Sequence, residues 1–141
     1  MALTFGLIVG NRDFFPDELA KDGREEIIKI LQEEGFSVIC PSPEDTHSGT
    51  VKTWQDAKKC AAMFKENQNK IDGIIVSLPN FGDEKTVAST IRLSGSDVPI
   101  LVHAFPDELN ALDLSHRRDS FCGKISVCNN LNQYGIPFSL T

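Results

Sequence analysis

Residues 3–9, 71–77 and 98–104 are largely apolar runs of strand length, and the segments between them show apolar positions at helical spacing. After the first run a polar turn leads to Pro16, whose missing N–H suits the first turn of a helix. Ala20, Ile27, Ile28, Ile30 and Leu31 then recur at helical spacing as far as Gly35, while Glu25, Glu26 and Lys29 cover the other side. Residues 36–40 read as a short second strand, ended by Pro41-Ser42-Pro43. Trp54, Ala57, Ala61 and Phe64 mark the inward stripe of a second helix, with Trp54 read as core. Val87, Ala88 and Ile91 share one face of a third. A fourth is expected to be capped by Ser120, to turn Phe121, Ile125, Cys128 and Leu131 inward, and to end before Gly135. Residues 136–140 form the expected fifth strand.

Apolar strands that alternate with helices indicate a parallel sheet covered on both faces, hence one α/β domain over residues 1–141 with α/β/α layering. The expected strand order is flavodoxin-like, 2-1-3-4-5. Right-handed crossovers then place the first helix on one face and the next three on the other. No residues follow the fifth strand to supply a final helix, so one face is expected to be under-covered. The chain therefore reads as the N-terminal domain of a longer protein, with that face met by a continuation or a partner chain.

Composition narrows the class. With 40% apolar and 24% charged residues the chain is ordinary for a globular domain, and no stretch approaches the about 20 apolar residues a membrane helix needs. The apolar start resembles a signal peptide, but no Lys or Arg precedes it and Asn11-Arg12-Asp13 follows in place of a cleavage site. It reads as a core strand, and the location as cytoplasmic. Cys40, Cys60, Cys122 and Cys128 have neither Cys-x-x-Cys nor zinc-ribbon spacing, which favours buried reduced thiols. A formal charge of −6, with only Lys58-Lys59 and Arg117-Arg118 as adjacent basic pairs, argues against nucleic acid.

Ligands of open parallel sheets bind beyond the carboxyl ends of the strands, so the loops of interest are 10–15, 41–50, 78–83 and 105–119. Gly10 lacks the glycine spacing of a nucleotide or flavin site. A receiver domain would want clustered acids after strand one, where Asp13 stands alone, and an Asp ending strand three, where Ser77 stands. Arg12 is placed to donate directed hydrogen bonds to a polyol or carboxylate, or else to pair with a nearby acid. Asn80-Phe81-Gly82 either sets an amide and a ring edge over a sugar or makes a tight turn with Phe81 packed inward. His103 reads as a hydrogen-bonded core histidine more readily than as a catalytic one. The 105–119 loop is long, carries His116, Arg117, Arg118 and Asp119, and contains no nucleophile elbow. An Arg118–Asp119 ion pair is one reading of how it is anchored.

The run from Arg117-Arg118-Asp119-Ser120-Phe121-Cys122-Gly123 through to Pro137-Phe138, together with Ser77-Leu78-Pro79-Asn80-Phe81-Gly82, resembles the N-terminal region of the L-fucose isomerase/L-arabinose isomerase family, especially its fucose-isomerase-like members. The resemblance covers the whole chain and is strongest in its second half. It implies an enzyme that interconverts aldoses and ketoses with a divalent metal, usually manganese, as a trimer or hexamer with active sites near subunit boundaries. In that chemistry a metal polarises the carbonyl and hydroxyl while two carboxylates move a proton through an ene-diol. The resemblance places the metal ligands and the acids in later domains, leaving no catalytic or metal-binding residue in this chain. Its expected roles are oligomer assembly and help with the sugar pocket, with Arg12 matching a family arginine after the first strand and Asn80 and Phe81 in the loop turned toward the sugar. The other readings are a stand-alone module that binds sugar or another small polar ligand, and a purely structural oligomerisation domain.

Overall fold

The structure, a computed structural model, describes residues 2–141; Met1, the first residue of the expected domain, lies outside the described residues. Five parallel strands run in the order β2-β1-β3-β4-β5: β1 (Thr4–Val9), β2 (Ser37–Ile39), β3 (Gly73–Leu78), β4 (Ile100–Ala104) and β5 (Ser139–Leu140). Four helices connect them, α1 (Asp17–Glu33), α2 (Trp54–Glu66), α3 (Glu84–Ser94) and α4 (Ser120–Gln133), with a 3-10 turn at His47–Gly49. The expected fold and strand order are thus observed. Among the described residues no helix is long and apolar enough to cross a membrane.

Alternation along the strands divides the core in two. Ile8, Ile74, Val76, Leu78 and Val102 point to one face, where they meet Phe64 of α2, Val87 and Ile91 of α3, and Val127 and Leu131 of α4. Leu7, Val9 and Ile75 point to the other and meet Leu31 of α1, with Ile27 and Ile28 packed alongside. One helix on one face and three on the other match the crossover expectation. Over β3, β4 and β5 the α1 face keeps an open groove of about 340 Å³, lined in part by Phe5, Ile75, Leu101 and Ser139.

Several local readings need correction. Pro16 stands one position before α1, at the N-cap, and makes no side-chain cap bond. Trp54 is 52% exposed, because it is the first residue of α2 and precedes the turn that reaches the sheet. In α4 the buried positions are Ser120, Gly123, Val127 and Leu131, while Phe121 and Ile125 are exposed. The helix is rotated one position from the most apolar stripe because its first turn must approach the 79–82 loop closely. A Cβ on Gly123 would collide with the carbonyl of Phe81. Ser120 is also not the cap: Asp119 occupies that position with φ +49°, and the Ser120 hydroxyl donates to the Phe105 carbonyl. The fifth strand is shorter than expected, since the Ile136 N–H is held by the Leu131 carbonyl at 2.9 Å and Pro137 has no N–H to offer a neighbour. Of the four free cysteines, only Cys60 is fully buried and Cys122 is exposed.

Candidate functional site

The carboxyl ends of β1, β3 and β4 carry the residues that surround a cavity of about 480 Å³ lined by Arg12, Phe15, Phe81, Arg117, Asp119 and Cys122. A hollow of about 530 Å³ lies at the opposite end of the sheet, around Gly95–Ile100 and Gly135–Pro137. That is the amino end of β4, the wrong end for ligand binding in a fold of this type.

Arg12 follows β1 and reaches sideways. Its NH1 donates to Glu84 Oε2 at 3.0 Å, and its guanidinium carbon stands 4.9 Å from the centre of the Phe81 ring. The acid-paired reading of Arg12 is the one observed, and the side chain also borders the cavity with 38% of its surface open. Phe81 neither packs into the core nor stands free. Its ring stacks on Phe15 at 5.9 Å between centres with 27° between planes, so two aromatic faces form one wall. The opposite edge is polar, made by an Arg117 Nε–Asp119 Oδ2 pair at 2.6 Å.

Asn80 takes the other course. It is fully buried, and its amide donates to Asn11 Oδ1 at 2.8 Å while its own oxygen accepts the Gly82 N–H at 3.1 Å. With both ends engaged inside the protein, Asn80 does not line the cavity. Of the three residues expected at a sugar pocket, Arg12 and Phe81 line the cavity and Asn80 is buried behind it.

The 105–119 loop is tied down at several points. Asp107 accepts from the backbone N–H groups of Arg118 at 2.6 Å and Asp119 at 3.2 Å. Arg118 NH1 donates to the Pro79 carbonyl at 2.8 Å, and its guanidinium lies over Phe105. Asp119 consequently pairs with Arg117 and not with Arg118, and Arg118 anchors the loop to the neighbouring strand end instead. Spacing alone did not separate these two adjacent arginines, because the left-handed backbone at Asp119 decides which one its carboxylate faces.

Sequence reasoning missed Phe15, Cys122 and Asn11. Phe15 follows Phe14, whose φ of +79° leaves its ring fully exposed and turns the chain so that Phe15 meets Phe81. Asn11 is buried beneath Arg12, and its amide holds the Asp17 carboxylate below its ordinary range, with help from Lys52. Partial burial opposes charge on Lys52, but the Asp13 and Asp17 carboxylates outweigh it and raise the ammonium above its ordinary value.

His103 sits apart from the cavity, on the α1 face, with Nδ1 3.1 Å from Ser77 Oγ and its ring edge-on to Phe105. The hydrogen bond is the expected one, but the ring is half-buried on the thinly covered face and is not part of the core. Two other imidazoles each meet a single acid: His47 Nδ1 donates to Asp56 at 3.0 Å, and His116 Nδ1 to Asp113 at 2.8 Å. Among the described residues no group of three His, Cys, Asp or Glu side chains could hold a metal ion.

No curated protein matches the chain. Residues 6–141 match the N-terminal domain of fucose/sulfoquinovose isomerase. With nearly its whole length in that match, the chain belongs to the fucose/sulfoquinovose isomerase N-terminal domain family.

Proposed function

We propose that the chain serves a cytoplasmic, metal-dependent aldose–ketose isomerase as the domain that lends side chains to the sugar pocket and surface to oligomer assembly, with the manganese or other divalent metal held by residues outside it. The observation that carries this reading is the cavity at the strand ends. Phe15 and Phe81 offer an apolar wall that suits the C–H face of a sugar, while Arg12 and Arg117 keep N–H donors at its edge for hydroxyl or carbonyl oxygens.

Each guanidinium is paired with a carboxylate, Arg12 with Glu84 and Arg117 with Asp119. The pairs hold the donors in fixed directions and leave the local charge balanced, an arrangement suited to a neutral polyol. Open-chain aldose bound here would be oriented by this chain. Proton transfer between its first two carbons would be performed by acids elsewhere in the enzyme.

The test separates binding from turnover. Supplied with manganese and a panel of aldoses, the chain alone should bind sugar weakly and saturably and should isomerise none of them. Turnover by the chain alone would overturn the division of labour. Absence of saturable binding, together with an unchanged KM for the complete enzyme when Arg12 is replaced by Ala, would leave assembly as the domain's role.

A further inference from the structure

We propose that Asn11 is a positioning residue that locks the three loops around the cavity into one unit and so sets where Arg12 and Phe81 stand; the proposal rests on reading that cavity as the sugar site. Asn11 is fully buried, two residues beyond the end of β1, and its side chain makes four polar contacts. Oδ1 accepts from the Arg12 N–H at 2.8 Å and from Asn80 Nδ2 at 2.8 Å. Nδ2 donates to Asp17 Oδ1 at 2.8 Å and lies 3.4 Å from Thr50 Oγ1. The backbone repeats the pattern, with Asn11 N–H donating to the Val51 carbonyl at 3.1 Å and the Asp83 N–H donating to the Asn11 carbonyl at 3.1 Å.

The loops after β1, β2 and β3 thus meet on one residue. Asn80 carries the lock to the next position, since its oxygen holds the Gly82 N–H and fixes the turn that presents Phe81. Asp83 carries it to α3: its N–H is on Asn11 while its side chain caps α3 by accepting the Thr86 N–H, one residue before Glu84, the partner of Arg12. The two side chains on either side of the cation–π contact are therefore referenced to the same buried amide. With an acid at position 17, only an amide satisfies this node. It needs an acceptor toward Arg12 and Asn80 and a donor toward the Asp17 carboxylate, and a buried group deprived of either is left unpaired.

The chemistry suggests a charge-neutral swap. Asn11→Asp retains the acceptor but sets a carboxylate against Asp17 in place of the amide donor. Asp17→Asn alone keeps an acceptor for Asn11 and weakens only the exposed pair with Lys52, which retains Asp13, so the loops should stay locked. The double variant restores a donor–acceptor pair with its direction reversed. Coupling between the two positions should show as non-additivity.

The chain is examined by hydrogen exchange and by titration with the aldose panel. In Asn11→Asp the amides of Arg12 and Asp83 should exchange about tenfold or more faster relative to Val76 in β3, and sugar affinity should fall about tenfold, both the mark of a lost buried bond. In the double variant both should return to within about threefold of the parent. If Asn11→Asp fails to fold, the double variant decides: parent-like exchange and affinity support the lock, and loosened loops in a folded protein overturn it. Unchanged exchange in Asn11→Asp also overturns it. Should the parent bind no aldose, the sugar reading fails while the exchange data still decide the lock.

Discussion

The guanidinium of Arg12 stands 4.9 Å from the centre of the Phe81 ring while its NH1 is held by Glu84 Oε2 at 3.0 Å. An arginine gripped from below by an acid and flanked by a ring has lost its torsional freedom before any ligand arrives, so the ordering cost of binding is already met in part. If Arg12 bonds the sugar, replacing it by Ala removes a charge-assisted bond worth ~1.5–3 kcal/mol and weakens binding about ten- to hundredfold. The change also strands Glu84, which is largely buried at 19% exposure. Arg12→Ala/Glu84→Gln is therefore the cleaner comparison. KM of the complete enzyme should rise in both variants, and a rise confined to the single variant would assign the effect to the orphaned carboxylate.

Gly123 bears on the same wall from the other side. Alanine normally stabilises a helix interior by about 1 kcal/mol over glycine, yet here its methyl would meet the Phe81 carbonyl with no flexible side chain between to yield. Backbone must move, and overpacking of this kind costs ~1–3 kcal/mol, so collision outweighs propensity. Gly123→Ala should lower the urea midpoint. An unchanged or raised midpoint would mean that α4 sits farther from the 79–82 loop than the structure places it.

The fold was legible because its signals are coarse and redundant. Long apolar runs at β3 and β4 and the helical spacing of Ile27, Ile28 and Leu31 leave little choice of element, and parallel topology follows from alternation. The site was legible only in part, because it depends on close backbone approach and on buried amides. Asn80 and Phe81 are neighbours, yet one is buried with both polar ends bonded and the other lines the cavity, a difference set by the turn at Gly82 with φ +72°. Likewise hydrophobicity selected Phe121 and Ile125 for the inward face of α4, when contact is made by Ser120 and Gly123, whose merit is being small.

Trp54 offers a direct optical check. It is the chain's one tryptophan and is half exposed at the start of α2, where the capping box of Thr53 and Asp56, not the indole, fixes the helix end. Emission should be red-shifted and readily quenched by acrylamide in the folded protein. Trp54→Ala should change stability by no more than about 0.5 kcal/mol, as for surface positions generally. A blue emission maximum or a loss of several times that energy would restore the core reading.

His103 gives the protein an acid-sensitive element distinct from its carboxylates. Burial, and after it the positive charge of Lys124, hold the imidazole below its ordinary value of 6.5, with Glu26 opposing. The folded state therefore prefers the neutral ring, and between the lowered value and about 6.5 the unfolded chain binds more protons. This contribution is fully present above the unfolded value and is lost as pH falls toward the folded one. Protonation would also turn Nδ1 into a donor, so Ser77 Oγ would have to accept where it can now donate. The carboxylates act lower. Asp17, through its bond from Asn11, and Asp56, where burial is outweighed by the bonds from His47 and the Thr53 and Lys52 N–H groups, are held below 3.8 and lose their contribution only as pH falls through those depressed values. Denaturant midpoints should therefore decline as pH is lowered below about 6.5, before the carboxylates begin to protonate. His103→Gln, which cannot titrate but can still bond Ser77, should flatten that first decline and leave the lower one in place. An equal slope in the variant would assign the upper window to another group.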